Sequence, residues 1–130
     1  MKEYIEVQLI KKASEFLALV EAKTKKIKKY SNFLESMKED AIEITSLVAL
    51  SYECYNEKER IECYEKAMKL CENVLFYARL FHEYQRMSKS GYQMVKMQGE
   101  LLTKLLDSLI RIERKSKTRN QYLFNLKFAK

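Results

Sequence analysis

A chain of 130 residues is long enough for one domain around a single core. With 33% charged and 47% hydrophobic residues it is not a disordered chain, and with no proline and only two glycines almost nothing interrupts a helix. The net charge of +7 points either to an anionic partner or to solubility, and no apolar run approaches the roughly 20 residues that cross a bilayer.

The spacing predicts four helices. The first runs over about Lys2 to Lys29, on the apolar line Ile5, Leu9, Ala13, Phe16, Val20, Ile27 with Leu17 and Leu19 beside it. The N-terminal stretch is charged throughout and lacks the apolar core of a signal peptide, so a cytoplasmic protein is expected. Ser31 is a suitable N-cap for the second helix, which carries Leu34, Met37, Ala41, Ile44, Val48 and Tyr55. Asn56 is a capping residue in the short break before the third.

Helix three spans about Glu57 to Arg86 and bears two apolar lines. One is Ile61, Tyr64, Met68, Cys71, Leu75, Ala78; the other is Cys63, Ala67, Leu70, Val74, Tyr77, Phe81, Tyr84. Two lines exceed what one core face requires. The second is therefore either a wide core stripe or a subunit interface, with Ala67, Leu70, Val74, Tyr77 and Phe81 as its candidate residues.

The segment 87–91 breaks the helix, with Ser88 or Ser90 as the next cap. Helix four covers about Lys89 to Lys115 on Val95, Leu102, Leu105, Leu106, Leu109 and Ile112. Gly99 sits inside it, where a glycine implies either close approach of another helix backbone or a tolerated weak point. Short connections make neighbours antiparallel, so the expected fold is an all-α, up-down-up-down four-helix bundle over residues 1–115. Residues 116–130 form a basic, aromatic C-terminal tail.

The positive charge is unevenly distributed. Residues 1–29 carry a net +4, residues 30–56 a net −4, and residues 57–87 balance. Residues 88–115 carry +3 and residues 116–130 carry +4. Two basic clusters result: Lys23, Lys25, Lys26, Lys28 and Lys29 after helix one, and Arg111, Arg114, Lys115, Lys117 and Arg119 from helix four into the tail. Both read either as solvated charge complementing helix C-termini or as a surface for nucleic-acid phosphates.

Nothing in the sequence encodes catalysis. There is no phosphate-binding loop or nucleophile elbow, and the single histidine, His82, cannot supply the paired ligands of a di-iron bundle, so it reads as structural. Cys63 and Cys71 lie eight residues apart on one helix, roughly 12 Å at 1.5 Å per residue, too far for a disulfide. No Cys/His zinc spacing exists, so reduced core cysteines, no metal and no cofactor are expected of a non-enzymatic protein.

The run Leu75-Phe76-Tyr77-Ala78-Arg79-Leu80, then Met87-Ser88-Lys89 and Tyr92, then Gly99 with Leu101 and Leu102, resembles a known group of four-helix bundle proteins. That group includes the accessory variability determinant of diversity-generating retroelements and the proteins encoded in intervening sequences of bacterial 23S ribosomal RNA genes. Its members often carry a Gly-Gly-Trp-like element shortly after the glycine matching Gly99, where this chain has Thr103-Lys104-Leu105 and no tryptophan. The resemblance implies a barrel-like homo-oligomer, a pentamer, that binds template RNA and a reverse transcriptase through a basic surface. For Arg79, at the matching arginine position, it implies an oligomer-interface residue pairing at a subunit contact, a structural residue, or part of that basic surface. The residues alone leave RNA and DNA both open as the nucleic acid, and leave open a protein–protein adaptor with no nucleic-acid role.

Overall fold

Apolar residues three and four apart, with nothing to break the backbone, produce the helices α1 (Lys2–Thr24), α2 (Ser31–Glu53), α3 (Glu57–Glu83) and α4 (Lys89–Phe128). The computed structural model describes the backbone of residues 2–128 and the side chains of residues 2–116, with no strand among them. Each helix packs on its two neighbours in the ring α1–α2–α3–α4–α1, while α1 and α3, like α2 and α4, face each other across the core. This is the up-down-up-down bundle that the spacing predicts.

The core is drawn from one stripe on each helix. Phe16, Leu9 and Val20 of α1 meet Met37 and Ile44 of α2, Cys71 and Val74 of α3, and Val95, Leu102, Leu106 and Leu109 of α4, all essentially without exposure. Each such large side chain contributes roughly 1.5–3 kcal/mol on burial.

Four boundaries or caps differ from the sequence expectation. Helix α1 stops at Thr24, not Lys29. The Thr24 hydroxyl donates to the Val20 carbonyl at 2.7 Å, and the Ile27 N–H returns to the Thr24 carbonyl at 3.0 Å, closing a turn. Ile27 is still buried, but by a loop folding back and not by a helix face. Ser31 is not the cap of α2; that position belongs to Tyr30, left-handed at φ 60°, which makes no side-chain capping bond. Helix α3 ends at Glu83, because Gln85 turns left-handed at φ 59° and the Arg86 and Met87 N–H groups both return to the Phe81 carbonyl. Helix α4 runs on to Phe128, so the backbone of the expected tail continues the helix; the side chains from Lys117 onward lie outside the described residues.

Two expected caps form as read. Asn56 accepts from the Lys58 N–H at 2.8 Å, and Ser88 accepts from the Gly91 N–H at 3.0 Å. Gly99 does mark a close approach, but to a side chain: a Cβ there would lie 2.7 Å from Cδ2 of Leu75.

The second apolar line of α3 is mostly core. Ala67 and Val74 are 0% exposed and Phe81 2%, so these three face the chain's own interior and offer no surface to a second copy. The line turns inward because it faces α2, the helix against which α3 packs. Leu70 and Tyr77 are only partly buried, and Arg79 is exposed and paired with Glu83 one turn on.

Candidate functional site

The topology sorts the basic residues between two poles. The α1–α2 loop and the α3–α4 turn lie at one pole; the start of α1, the α2–α3 loop and Glu113 of α4 lie at the other.

At the first pole, ending α1 at Thr24 places Lys25, Lys26, Lys28 and Lys29 on a loop, all exposed. Lys23 is half-buried, its stem lying 3.5 Å from where a Gly91 Cβ would stand at the head of α4. That contact brings the end of α1 against the start of α4. Tyr30 lies 5.7 Å from Tyr84, centroid to centroid, which brings the same loop against the end of α3. Arg86 of the α3–α4 turn and Lys89 at the start of α4, both exposed, therefore join the four loop lysines. Glu83, the carboxylate nearest that turn in sequence, is bonded to Arg79 at 3.0 Å.

The same pole carries a cleft of about 210 Å³ between α2 and α3, lined by Tyr30, Phe33, Tyr77, Leu80, Phe81 and Tyr84. Phe33 lies 6.2 Å from Tyr77, and Phe76 6.0 Å from Tyr77, so the rings extend around its rim. Tyr30 is 43% exposed, Phe33 49% and Tyr84 59%. Behind them His82 stacks on Tyr92 at 5.0 Å and 4°, with Nδ1 3.2 Å from the Met87 carbonyl oxygen. The lone histidine thus fastens α3 to α4.

The second basic cluster sits at the other end of the bundle. Arg111 pairs with Asp107 at 3.0 Å and Arg114 with Glu65 at 3.2 Å, while Lys115 is exposed. The side chains of Lys117 and Arg119 lie outside the described residues. Arg111 is 22 residues beyond Lys89 on one helix, roughly 33 Å away at 1.5 Å per residue, so the two clusters do not merge into one compact patch.

Near this second cluster is a nearly closed ion network that pattern reading misses. Glu113, 1% exposed, accepts from Lys2 at 2.6 Å and from Arg60 at 3.0 and 2.9 Å. Arg60 also donates to the Cys54 carbonyl at 2.8 Å. Burial pushes the Glu113 carboxyl upward, but the Arg60 and Lys2 bonds outweigh it and hold the group below its ordinary value. Nearby, burial drives the Tyr64 phenol up to about 12 against a bond to Ser51. These groups tie together α1, α3, α4 and the α2–α3 loop.

Burial likewise raises the Cys71 thiol to about 12, against a bond to Thr103, and raises Cys63, so both stay protonated at neutral pH. Among the described residues, no group of three His, Cys, Asp or Glu side chains is placed to hold a metal ion, and no helix is long and apolar enough to cross a membrane.

Sequence reasoning found the loop lysines but missed Arg86, Lys89 and the aromatic cleft beside them. The signal was available: in an up-down-up-down bundle the first and third connections share a pole, and each carries a tyrosine next to its basic residues.

No family model matches the chain, and no curated protein matches it in sequence. Its fold is similar to the crystal structure of a protein of unknown function from the S23 ribosomal protein family of Bacteroides thetaiotaomicron. The TM-score is 0.71 over 85% of this chain and 99% of that one, at 14% identity.

Proposed function

We propose that this chain is a non-enzymatic accessory protein that binds nucleic acid, RNA foremost, through the basic pole formed by its first and third connections. The observation that carries this reading is the convergence of Lys25, Lys26, Lys28 and Lys29 with Arg86 and Lys89 on one exposed surface. Six cations within one pole favour phosphate contact over simple solvation. The helix-three-to-four sequence resembles the accessory determinants of diversity-generating retroelements, so the protein partner proposed is a reverse transcriptase and the RNA its template. A homo-oligomer belongs to the same reading; the exposed Phe76 and the partly buried Leu70 are apolar residues of α3 available to it.

The two poles provide the test. Anisotropy of a labelled structured RNA is measured at about 50 and 200 mM salt; contact with six or more phosphates weakens binding on the order of a thousandfold across that range. Reversing Lys25, Lys26, Lys28 and Lys29 to glutamate abolishes binding and leaves helicity intact. Reversing Arg111 and Arg114 costs less, since each already pairs with a carboxylate. Equal losses at both poles, or no binding by the unaltered protein at the lower salt, refute the proposal.

A further inference from the structure

We infer that the cleft lined by Tyr30, Phe33, Tyr77 and Tyr84 is a stacking site for an unpaired nucleobase, which makes single-stranded RNA or an RNA loop the substrate class of the basic pole. The inference rests on the proposed function and goes beyond it, because phosphate contact alone does not distinguish strand from duplex.

Three observations point to a base. The first is placement. Lys28 and Lys29 immediately precede Tyr30, and Arg86 follows Tyr84 by two residues, so basic residues adjoin two of the cleft's rings in the chain, and those rings lie 5.7 Å apart. Sequence-tolerant single-strand binding combines these two features: a cationic track for phosphates and aromatic faces for the bases. Lysine is depleted in the cores of protein–protein interfaces, so this composition suits a polyanion better than a second protein.

The second observation is size. At about 210 Å³ the cleft is smaller than the roughly 300–1,000 Å³ that enclose a drug-sized ligand. A flat ring entering edge-first, with its sugar and phosphate left outside among the lysines, matches the space. Duplex bases are already stacked on one another and cannot enter, whereas splayed bases of loops and single strands can.

The third is strain. Tyr30 at φ 60° and Gln85 at φ 59° are the two left-handed non-glycine residues among those described. Side chains other than glycine adopt this conformation only at a cost in free energy. One belongs to a cleft residue and the other directly follows one, and backbone strain of this kind concentrates at functional sites. Turning Tyr30 left-handed helps bring its ring toward Tyr84, 5.7 Å away.

The test uses the full chain and two RNA probes of equal length, a single-stranded 12-mer containing one 2-aminopurine and the corresponding duplex. Phe33→Ala and Tyr84→Ala alter exposed rings and leave the core alone, and circular dichroism checks that each stays folded. Stacking predicts that the wild type quenches the 2-aminopurine fluorescence. It also predicts that each substitution weakens single-strand binding by roughly 5- to 150-fold while duplex binding and its salt slope are unchanged. Single-strand binding that is tight, salt-sensitive, unquenched and indifferent to both substitutions overturns the stacking site and leaves the basic pole standing. Equal losses for strand and duplex also overturn it, since the rings then only shape the phosphate surface. Binding of neither probe by the wild type overturns both readings. Ring substitutions that instead lower the oligomeric mass assign the cleft to a contact between copies and overturn it as well.

Discussion

Taking a carboxylate out of water costs several kcal/mol unless cations and hydrogen bonds meet it. Glu113 is met by both, with Lys2 from the start of α1 and Arg60 from the start of α3 bonded to a side chain that is 1% exposed. Removing Arg60 leaves the charge buried and half-compensated, so Arg60→Ala is expected to cost about 3 kcal/mol by denaturant unfolding at neutral pH. The pH dependence has a definite sign. The folded-state value of Glu113 lies below the ordinary 4.5, so its stabilisation is present above the carboxylate range and is lost as pH falls through the folded value. The stability gap between the wild type and Glu113→Gln is therefore wide at pH 7 and closes under acid. A gap unchanged by acid shows that the carboxylate charge does not hold this end together.

At the element scale, Gly99 is a point of close approach between α4 and the Leu75 side chain of α3. A Cβ there would stand 2.7, 3.1 and 3.2 Å from three Leu75 carbons, so Gly99→Ala forces that side chain to move. Alanine also raises helix propensity by about 1 kcal/mol. Which effect wins depends on Leu75. In a Leu75→Ala background Gly99→Ala is expected to stabilise by about 1 kcal/mol, and with Leu75 present to lose that gain, a coupling that a double-mutant cycle reads directly. Strict additivity places the glycine's role elsewhere. A glycine inside an apolar heptad-like pattern is visible in the sequence, but the identity of its neighbour depends on the register between two helices. The caps divide in the same way. Asn56 and Ser88 act through their own side chains and are legible locally, whereas Tyr30 caps α2 through a left-handed backbone that no propensity scale assigns to tyrosine.

For the molecule as a whole, the topology sends one basic cluster to each end and brings Arg86 and Lys89 to the first of them. It also decides what remains for assembly, since Ala67, Val74 and Phe81 are enclosed in the chain's own core and leave the exposed Phe76 and the partly buried Leu70 on α3. Sedimentation is expected to give a mass several times 15.6 kDa for the wild type, and a Leu70→Glu variant is expected to sediment near 15.6 kDa with unchanged helicity. A wild type that sediments at the single-chain mass refutes the oligomer.

By itself, the sequence determined the helical class, the number and order of the helices, most of each core stripe and the local caps. These follow from periodicity and from residues acting within a turn or two of themselves, which a linear chain records. Only the tertiary structure decided that the second line of α3 is core, that Glu113 joins Lys2 and Arg60 across three helices, and that two distant connections form one basic, aromatic pole. Those features depend on which faces meet, and that choice is made by the packing of all four helices at once.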